Sequence, residues 1–148
     1  MGKELLNSDK ELLLIDLCAR LPYGVKCYKI TFKPELAEEV ICMLRNGSHN
    51  CVQLGTFLYR LEHIKPYLFP LSSMTEEQKI ECFKGTDIEL DEHNEIWSTF
   101  PISNSDIVLT NLDNWLKVIN WLNKNHFDYR CLIEKGLAID ATGLNIYN

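Results

Sequence analysis

The spacing of apolar residues changes along this chain, and that change limits the fold more than any single motif does. A helical spacing runs over residues 9–20. The residues that share one face of this helix are Leu14, Leu17, Cys18 and Leu21. Ser8 to Glu11 has the form of a capping box, and Pro22 ends the pattern. We therefore predict a helix over 9–20 with one buried face.

Residues 25–61 contain short runs of β-branched and aromatic residues between turn signals. We predict strands at 25–32, 39–44, 50–54 and 56–61, with a turn at Asn46 to Ser48 and a bend or bulge at Gly55. A helix over 34–45 is the alternative for the second run, because Pro34 would start it and Gly47 would follow its end. These strands would make a small antiparallel sheet or a partly open barrel.

The segment 64–74 carries Pro66 and Pro70, which argue against both a helix interior and a central strand. We predict an extended segment that lays its apolar side chains over the sheet. Thr75 to Gln78 forms a second capping box and predicts a short helix to about Phe83. Residues 85–110 are less regular, with short strand candidates at 96–100 and 107–109.

The C-terminal part returns to a helical spacing. Asn111 or Asp113 can cap a helix that runs to about Asn125. Its predicted apolar face consists of Leu112, Trp115, Leu116, Ile119 and Leu122. Asp128 can cap a final short helix over 129–135, which Gly136 would end, and the apolar tail over 138–146 should pack. The patterns together predict an α+β fold: an N-terminal helix, a small sheet and a helical C-terminal half. They predict one domain over 1–148, with 1–74 and 75–148 as candidate subdomains.

The acidic charge is concentrated in one stretch of the chain. The 148 residues carry 15 Lys and Arg against 21 Asp and Glu, for a net charge of -6. Residues 76–95 alone hold eight acids and two lysines. Such a stretch is typical of a contact with a basic partner, and equally of a solvated surface. Its candidate binding residues are Glu76, Glu77, Glu89 and Asp91.

A second candidate binding cluster follows the C-terminal helix. It comprises Trp115, Trp121, His126, Phe127, Asp128, Tyr129 and Arg130. The candidate binding residues among them are Trp121, Asp128, Tyr129 and Arg130. Exposed Trp, Tyr and Arg side chains dominate the energetics of many interfaces. The alternative is that the rings pack a corner while Arg130 pairs with a carboxylate such as Asp128 or Asp140.

Several kinds of chemistry lack their motifs here. The Cys and His residues have no close zinc-type spacing, and the acids from Asp87 fail as an EF-hand because Glu92 and Ser98 occupy positions 6 and 12. A looser carboxylate site for Mg²⁺ or Ca²⁺ stays open as an alternative. Phosphate-loop glycines and the G-x-S-x-G serine motif are missing. We predict no metal, no cofactor and, on balance, no catalytic activity, with six reduced and mostly buried cysteines.

Location and nucleic-acid binding can be judged from the same composition. The longest apolar run, 40–44, is far below the roughly 20 residues that span a bilayer, and the N-terminus is too polar for a signal peptide. We expect a cytoplasmic protein without a membrane partner. The acidic composition argues against nucleic acid as a partner, although the sheet could carry a weak basic patch from Lys26, Lys29, Lys33 and Arg45.

Three blocks of the sequence resemble one family. They are 11–25 (ELLLIDLCARLPYGV), 64–77 (IKPYLFPLSSMTEE) and 121–133 (WLNKNHFDYRCLI) with the following GLAID at 136–140. The blocks are similar to a set of small uncharacterised proteins from gut Bacteroidetes and their phages and mobile elements. Cys131 departs from the pattern, because glycine is expected there. The resemblance implies a phage or prophage context in a bacterial host, and it implies no catalytic residue.

These observations predict a non-enzymatic interaction protein of a phage or mobile element. It would bind a host factor, with a defence component as one candidate target, through the acidic stretch. The alternative is a small-molecule or nucleotide-binding protein, with or without hydrolytic activity, which would need a concave pocket with converging polar groups. A weak nucleic-acid-binding sheet is the third hypothesis.

Overall fold

A computed structural model describes residues 5–29, 38–46, 49–54, 57–86 and 112–147. The helices in these ranges are α1 (Asn7–Arg20), α2 (Glu76–Phe83) and α3 (Leu112–Lys124). The strands are β1 (Lys26–Lys29), β2 (Glu38–Asn46), β3 (His49–Leu54), β4 (Phe57–Arg60), β5 (Ile64–Pro70), β6 (Phe127–Asp128) and β7 (Ile139–Asp140). The α+β fold class is confirmed, and β2 is a strand rather than the alternative helix over 34–45.

The strands form one open, mixed sheet in the order β4-β3-β2-β1-β5-β6, with β7 also paired to β5. Strands β1 to β4 pair antiparallel with their neighbours, as predicted, and β1 continues antiparallel onto β5. Strands β6 and β7 pair parallel to β5, so the sheet is not purely antiparallel. These two short C-terminal strands tie the end of the chain to the sheet.

The proline-containing segment is a central strand, and the prediction of a crossing segment over the sheet was wrong. Strand β5 pairs with β1 from Ile64 to Pro66, and with β7 and β6 only from Tyr67 onward. Proline has no backbone N–H to donate to a neighbouring strand. It is therefore tolerated in a strand where no such hydrogen bond is needed. The pairing partners change at Pro66, so a strand with two prolines can lie inside this sheet.

Helix α1 is where the sequence predicts it, but its cap and its buried face differ. It starts after Leu6, with no side-chain cap, so the predicted capping box at Ser8 to Glu11 is wrong. Its buried residues are Leu13, Asp16, Leu17 and Arg20, while Cys18 is exposed. The predicted buried face differs from the observed one because the prediction counted only apolar residues as core. In the structure the ion pair of Asp16 and Arg20 lies on the buried face.

Helices α2 and α3 follow the predicted boundaries closely. The Thr75 capping box is confirmed: its side chain accepts from the Gln78 backbone, and the Gln78 side chain accepts from the Thr75 backbone. On α3 the fully buried positions include Val118 and Leu122, whereas Leu116 is 46% exposed against the prediction. The acidic first turn of α2 places Glu76 and Glu77 favourably against the helix dipole.

Apolar side chains collect in three clusters around β5. The first lies between α1 and β1–β4, the second between α2, α3 and β6, and the third beneath the C-terminal turns. Ile64 belongs to the first, Phe69 packs on the second and Leu68 belongs to the third. Strand β5 therefore joins all three parts of the core.

The chain after α3 forms turns and short strands. The predicted helix over 129–135 is wrong, because these residues form bends and turns. Asp128 still accepts backbone hydrogen bonds, from the amides of Leu132 at 3.0 Å and Ile133 at 2.9 Å. The tail packs through Ala138 and Ala141, although Leu144 is 51% exposed. A carboxylate that satisfies two amides in this way can stabilise a turn as well as a helix start.

Five described cysteines are free thiols. Cys27 and Cys82 are buried, Cys51 is partly buried, and Cys18 and Cys131 are exposed, so the prediction of mostly buried thiols is wrong in part. Burial raises the pKa of the Cys82 thiol to about 12. The predicted strands at 96–100 and 107–109, the turn glycines 47 and 55, and the Asp87 loop lie outside the described residues.

Candidate binding cleft

A cleft of about 620 Å³ opens between the start of β1, the end of β5, the end of α3 and the C-terminal tail. One wall is the turn from α1 into β1, with Tyr23, Gly24 and Lys26. Opposite lie the end of β5 with the start of α2, and the residues that end α3. The tail closes the remaining side through Thr142, Gly143 and Tyr147. This volume is in the range of sites that hold small organic molecules.

The cleft is positively charged within an acidic protein. Its lining includes Lys26 and Lys124, and none of its described lining residues is Asp or Glu. The exposed carboxylate of Glu39 is not part of the lining but stands against Gly24, where an added Cβ would lie 3.3 Å from Oε1. The other polar lining residues are the neutral side chains Ser73, Thr75, Gln78, Asn125 and Thr142. A ligand in this cleft therefore meets ammonium groups, hydroxyls and amides.

His126 forms part of the floor. The chain leaves α3 at Lys124 and turns sharply, so His126 has a φ of 63°, in the left-handed region. Its carbonyl accepts from the amide of Phe69 at 2.8 Å, and its ring stacks on Tyr147 with centroids 3.8 Å apart. Its Nδ1 atom is buried and has no hydrogen-bond partner in the described ranges. The left-handed backbone conformation of His126 costs free energy, and its hydrogen bond and ring stacking stabilise it. Such strained residues are common at functional sites.

Burial keeps this imidazole neutral near pH 7. Burial first, and then the positive charges of Arg20 and Lys26, lower the pKa of His126 to about 4. The positive character of the cleft at neutral pH therefore comes from its two lysines. The neutral ring contributes a flat surface and a ring nitrogen rather than a charge.

Tyr147 is inserted between strands β1 and β5. Its hydroxyl donates to the carbonyl of Tyr67 at 2.7 Å and accepts from the amide of Lys26 at 3.0 Å. It thus bridges two backbone groups of neighbouring strands. The Lys26 ammonium donates to the carbonyl of Ile146 at 2.9 Å and lies 6.0 Å from the centre of the Tyr147 ring. The tail therefore fixes the position of Lys26 at the cleft.

A buried charged cluster supports the cleft from behind. Arg20 donates through Nε to Asp16 at 2.9 Å and through Nη2 to the Phe127 carbonyl at 2.6 Å, next to His126. Arg130 donates to the other carboxylate oxygen of Asp16 at 2.8 Å. Both Asp16 and Arg20 are fully buried. The cluster joins α1 to the residues that end α3, and it thereby positions the floor of the cleft.

The second predicted cluster of binding residues lies in this supporting layer. Trp121 stacks on Phe127 at 5.7 Å, and the Tyr129 hydroxyl donates to the Asn123 side chain at 2.8 Å. Arg130 pairs with Asp16, and not with Asp128 or Asp140 as the packing alternative expected. The structure brings Trp121, Asp128, Tyr129 and Arg130 into one region, and their role in binding stays a prediction.

The acidic candidates are only partly described. Glu76 and Glu77 are exposed on the first turn of α2, whereas Glu89 and Asp91 lie outside the described residues. Contact of this stretch with a host factor stays a prediction, and so does the phage context.

Sequence reasoning missed the residues that build the cleft. Lys26 was considered only as part of a weak nucleic-acid patch, and Lys124, His126 and Tyr147 were not selected as a site. Lys26 lies about 100 residues or more before the other three, so only the pairing of β1 with β5 and the return of the tail bring them together. The one local signal is the Asn125-His126 pair directly after a helix, where a left-handed turn residue is common.

The described ranges contain neither a metal-type cluster of side chains nor a membrane-spanning helix. No group of three or more His, Cys, Asp or Glu side chains there is arranged to hold a metal ion. None of the described helices has the length and apolar character needed to cross a membrane.

Comparison with known proteins gives no relative. No family model, no curated protein and no solved structure matches this chain.

The neutral state of His126 predicts a pH dependence of stability. In the unfolded chain a histidine binds a proton below about pH 6.5, whereas folded His126 binds one only near pH 4. The unfolded state therefore gains protons first on acidification, and the free energy of unfolding should fall between these values by up to about 3 kcal/mol. Above pH 6.5 both states hold the imidazole neutral, so this loss of unfolding free energy is absent.

Urea denaturation across this pH range measures the effect. His126→Asn, which tolerates a positive φ, should flatten the slope between pH 4 and 6.5. The matched control His63→Asn changes an exposed histidine and should keep the slope. An unchanged slope in His126→Asn would show that the ring is not held neutral by burial.

Proposed function

We propose that this protein binds a small organic anion in the cleft. The observation that carries the proposal is the lining: two lysines and no carboxylate among its described residues, in a chain with a net charge of -6. If charges were distributed at random over such a chain, the cleft would be expected to contain more acids than bases. The selective absence of acids from this concave surface supports an anionic ligand.

The position of Lys26 supports the proposal further. Its ammonium has three donors, and the Ile146 carbonyl occupies one of them in a fixed direction. A charged donor that is already held costs less conformational entropy on binding than a free side chain. An anion about 4 Å from an ammonium gains about 4 kcal/mol at an effective dielectric constant of about 20, and about 1 kcal/mol in bulk water. A partly enclosed cleft therefore strengthens the attraction.

The neutral polar groups favour a molecule rather than a bare ion. Hydroxyls and amides line the cleft together with the lysines, and aromatic rings form part of its wall. Such a mixture of apolar surface with a few converging polar groups is typical of ligand sites. This proposal takes up the small-molecule alternative from the sequence, and it includes no catalytic step.

Replacement of Lys124 tests the proposal. Lys124 is exposed, so Lys124→Gln should fold normally while it removes one of the two charges. With pyrophosphate and citrate as probes, calorimetric titration should show about fivefold weaker binding, since an exposed ion pair contributes up to about 1 kcal/mol. The affinity should also fall as salt is raised.

The matched control is Lys135→Gln, an exposed lysine outside the cleft. It should leave the affinity for both probes unchanged. Equal weakening by the two variants would indicate general charge attraction and would contradict a site. Absence of binding by pyrophosphate, citrate and the phosphate esters used below would overturn the proposed function.

A further inference from the structure

We infer that the anion is a mononucleotide, with its phosphate at the lysines and its base on the ring of Tyr23. This inference rests on the proposed function, because it names the ligand class of the same cleft. Three features of the lining carry it: one exposed ring, one unused amide donor with one unused amide acceptor, and the short stretch of chain between this ring and Lys26.

The first feature is an aromatic ring that is free to stack. Phe127 already stacks on Trp121, Tyr147 is covered by His126, and Phe69 packs against both Phe127 and Tyr147. Tyr23 is 36% exposed at the cleft, and among the described residues no ring packs on it. It follows Pro22 in a short 3₁₀ turn over Leu21–Tyr23 and precedes Gly24, whose φ of 71° lets the chain turn into β1. Exposed aromatic rings are the usual platform for bases, since every base has a flat face.

The second feature is a pair of side-chain amides, one with an unused hydrogen-bond donor and the other with an unused acceptor. Gln78 uses its Oε1 to accept from the Thr75 amide, which leaves its amide nitrogen as a donor. Asn125 uses its Nδ2 to donate to the Trp121 carbonyl, which leaves its oxygen as an acceptor. The edges of nucleobases present donors and acceptors side by side. Together these two side chains offer one donor and one acceptor to such an edge.

The third feature is the separation of ring and charge. Tyr23 and Lys26 are three residues apart in the sequence, so their Cα atoms are at most about 11 Å apart. One small molecule that carries a flat group and an anionic group can therefore reach both side chains. A nucleoside 5′-phosphate has this form, because the sugar separates base and phosphate.

Comparison of ligand fragments tests the inference. The probes are the four 5′-ribonucleoside monophosphates, ribose 5-phosphate, phenyl phosphate and the four nucleosides, titrated into the full chain. We expect at least one mononucleotide to bind at least about fivefold more tightly than every fragment, as base stacking and edge contacts add to phosphate binding. If ribose 5-phosphate or phenyl phosphate binds as tightly as the best mononucleotide, the inference is wrong and the anion site stands.

A variant locates the base. Tyr23→Leu should reduce the affinity of the best mononucleotide to that of ribose 5-phosphate, while the affinity for ribose 5-phosphate stays unchanged. The control Phe57→Leu replaces another exposed ring, 67% exposed on β4 and away from the cleft, and should change neither affinity. Full nucleotide affinity in Tyr23→Leu would overturn the assignment of the base to this ring. A loss for both probes alike would also contradict it, because the ring would then serve the fold and not the base.

Discussion

Replacing Arg20 by methionine is expected to lower the free energy of unfolding by about 3–5 kcal/mol. The guanidinium is fully buried and holds Asp16, and it also donates to the carbonyls of Phe127 and Leu122. Methionine fills a similar volume but leaves the Asp16 carboxylate with Arg130 alone and two buried carbonyls without their donor. The penalty comes mainly from these stranded polar groups rather than from lost packing.

Urea denaturation followed by circular dichroism measures this loss. The control Arg60→Met changes an exposed arginine on β4 and should shift stability by no more than about 0.5 kcal/mol. In the double variant Asp16→Leu with Arg20→Met, the loss should be smaller than the sum of the two single losses, because the stranded carboxylate is gone. A cost for Arg20→Met no larger than that for Arg60→Met would show that the cluster does not hold the ends of α1 and α3 together.

The second large effect is expected at Tyr147. Tyr147→Phe keeps the ring that stacks on His126 but removes the hydroxyl between β1 and β5. The amide of Lys26 and the carbonyl of Tyr67 then lose their partner at a partly buried position. We expect a loss of about 1–3 kcal/mol, the usual cost of leaving buried polar groups unsatisfied.

Hydrogen exchange shows whether the loss arises at this bridge. Protection of the Lys26 amide should fall more than protection of amides in β2 and β3, since its acceptor in the folded state is the removed hydroxyl. The control Tyr23→Phe removes an exposed hydroxyl and should leave stability within about 0.5 kcal/mol. Unchanged stability and unchanged Lys26 protection in Tyr147→Phe would contradict the role given to the tail.

Local signals in the sequence predicted much of the fold. The Thr75 capping box located the start of α2, because both halves of the box act within one turn. The helical spacing located α3, and the β-branched run at 39–44 was a strand as its composition favours. These elements are determined by neighbours in sequence, which is why single-chain patterns suffice for them.

Two features were wrong because distant partners decide them. The buried face of α1 contains Asp16 and Arg20, which are acceptable in a core only because Arg130, 114 residues away, completes the pair. Pro66 and Pro70 argued against a central strand, yet the neighbours of β5 change along its length. Neither pairing leaves a local trace in the sequence.

The cleft could not be predicted for the same reason. It needs the β1–β5 pairing, the end of α3 and the return of the tail to Tyr147, and each joins residues far apart in sequence. The acidic stretch can be recognised in the sequence because its residues are continuous. The positive surface of the cleft cannot, because it is assembled from two lysines nearly 100 residues apart.

The most direct test of the account is an NMR titration of the ¹⁵N-labelled protein with pyrophosphate. We predict saturable shifts that concentrate on the backbone amides of Lys26, Lys124, His126 and Tyr147, and that are reduced in Lys124→Gln. Shifts spread along the exposed lysines of the surface, or concentrated on another part of the sheet such as β4, would contradict the claim that this cleft is the binding site.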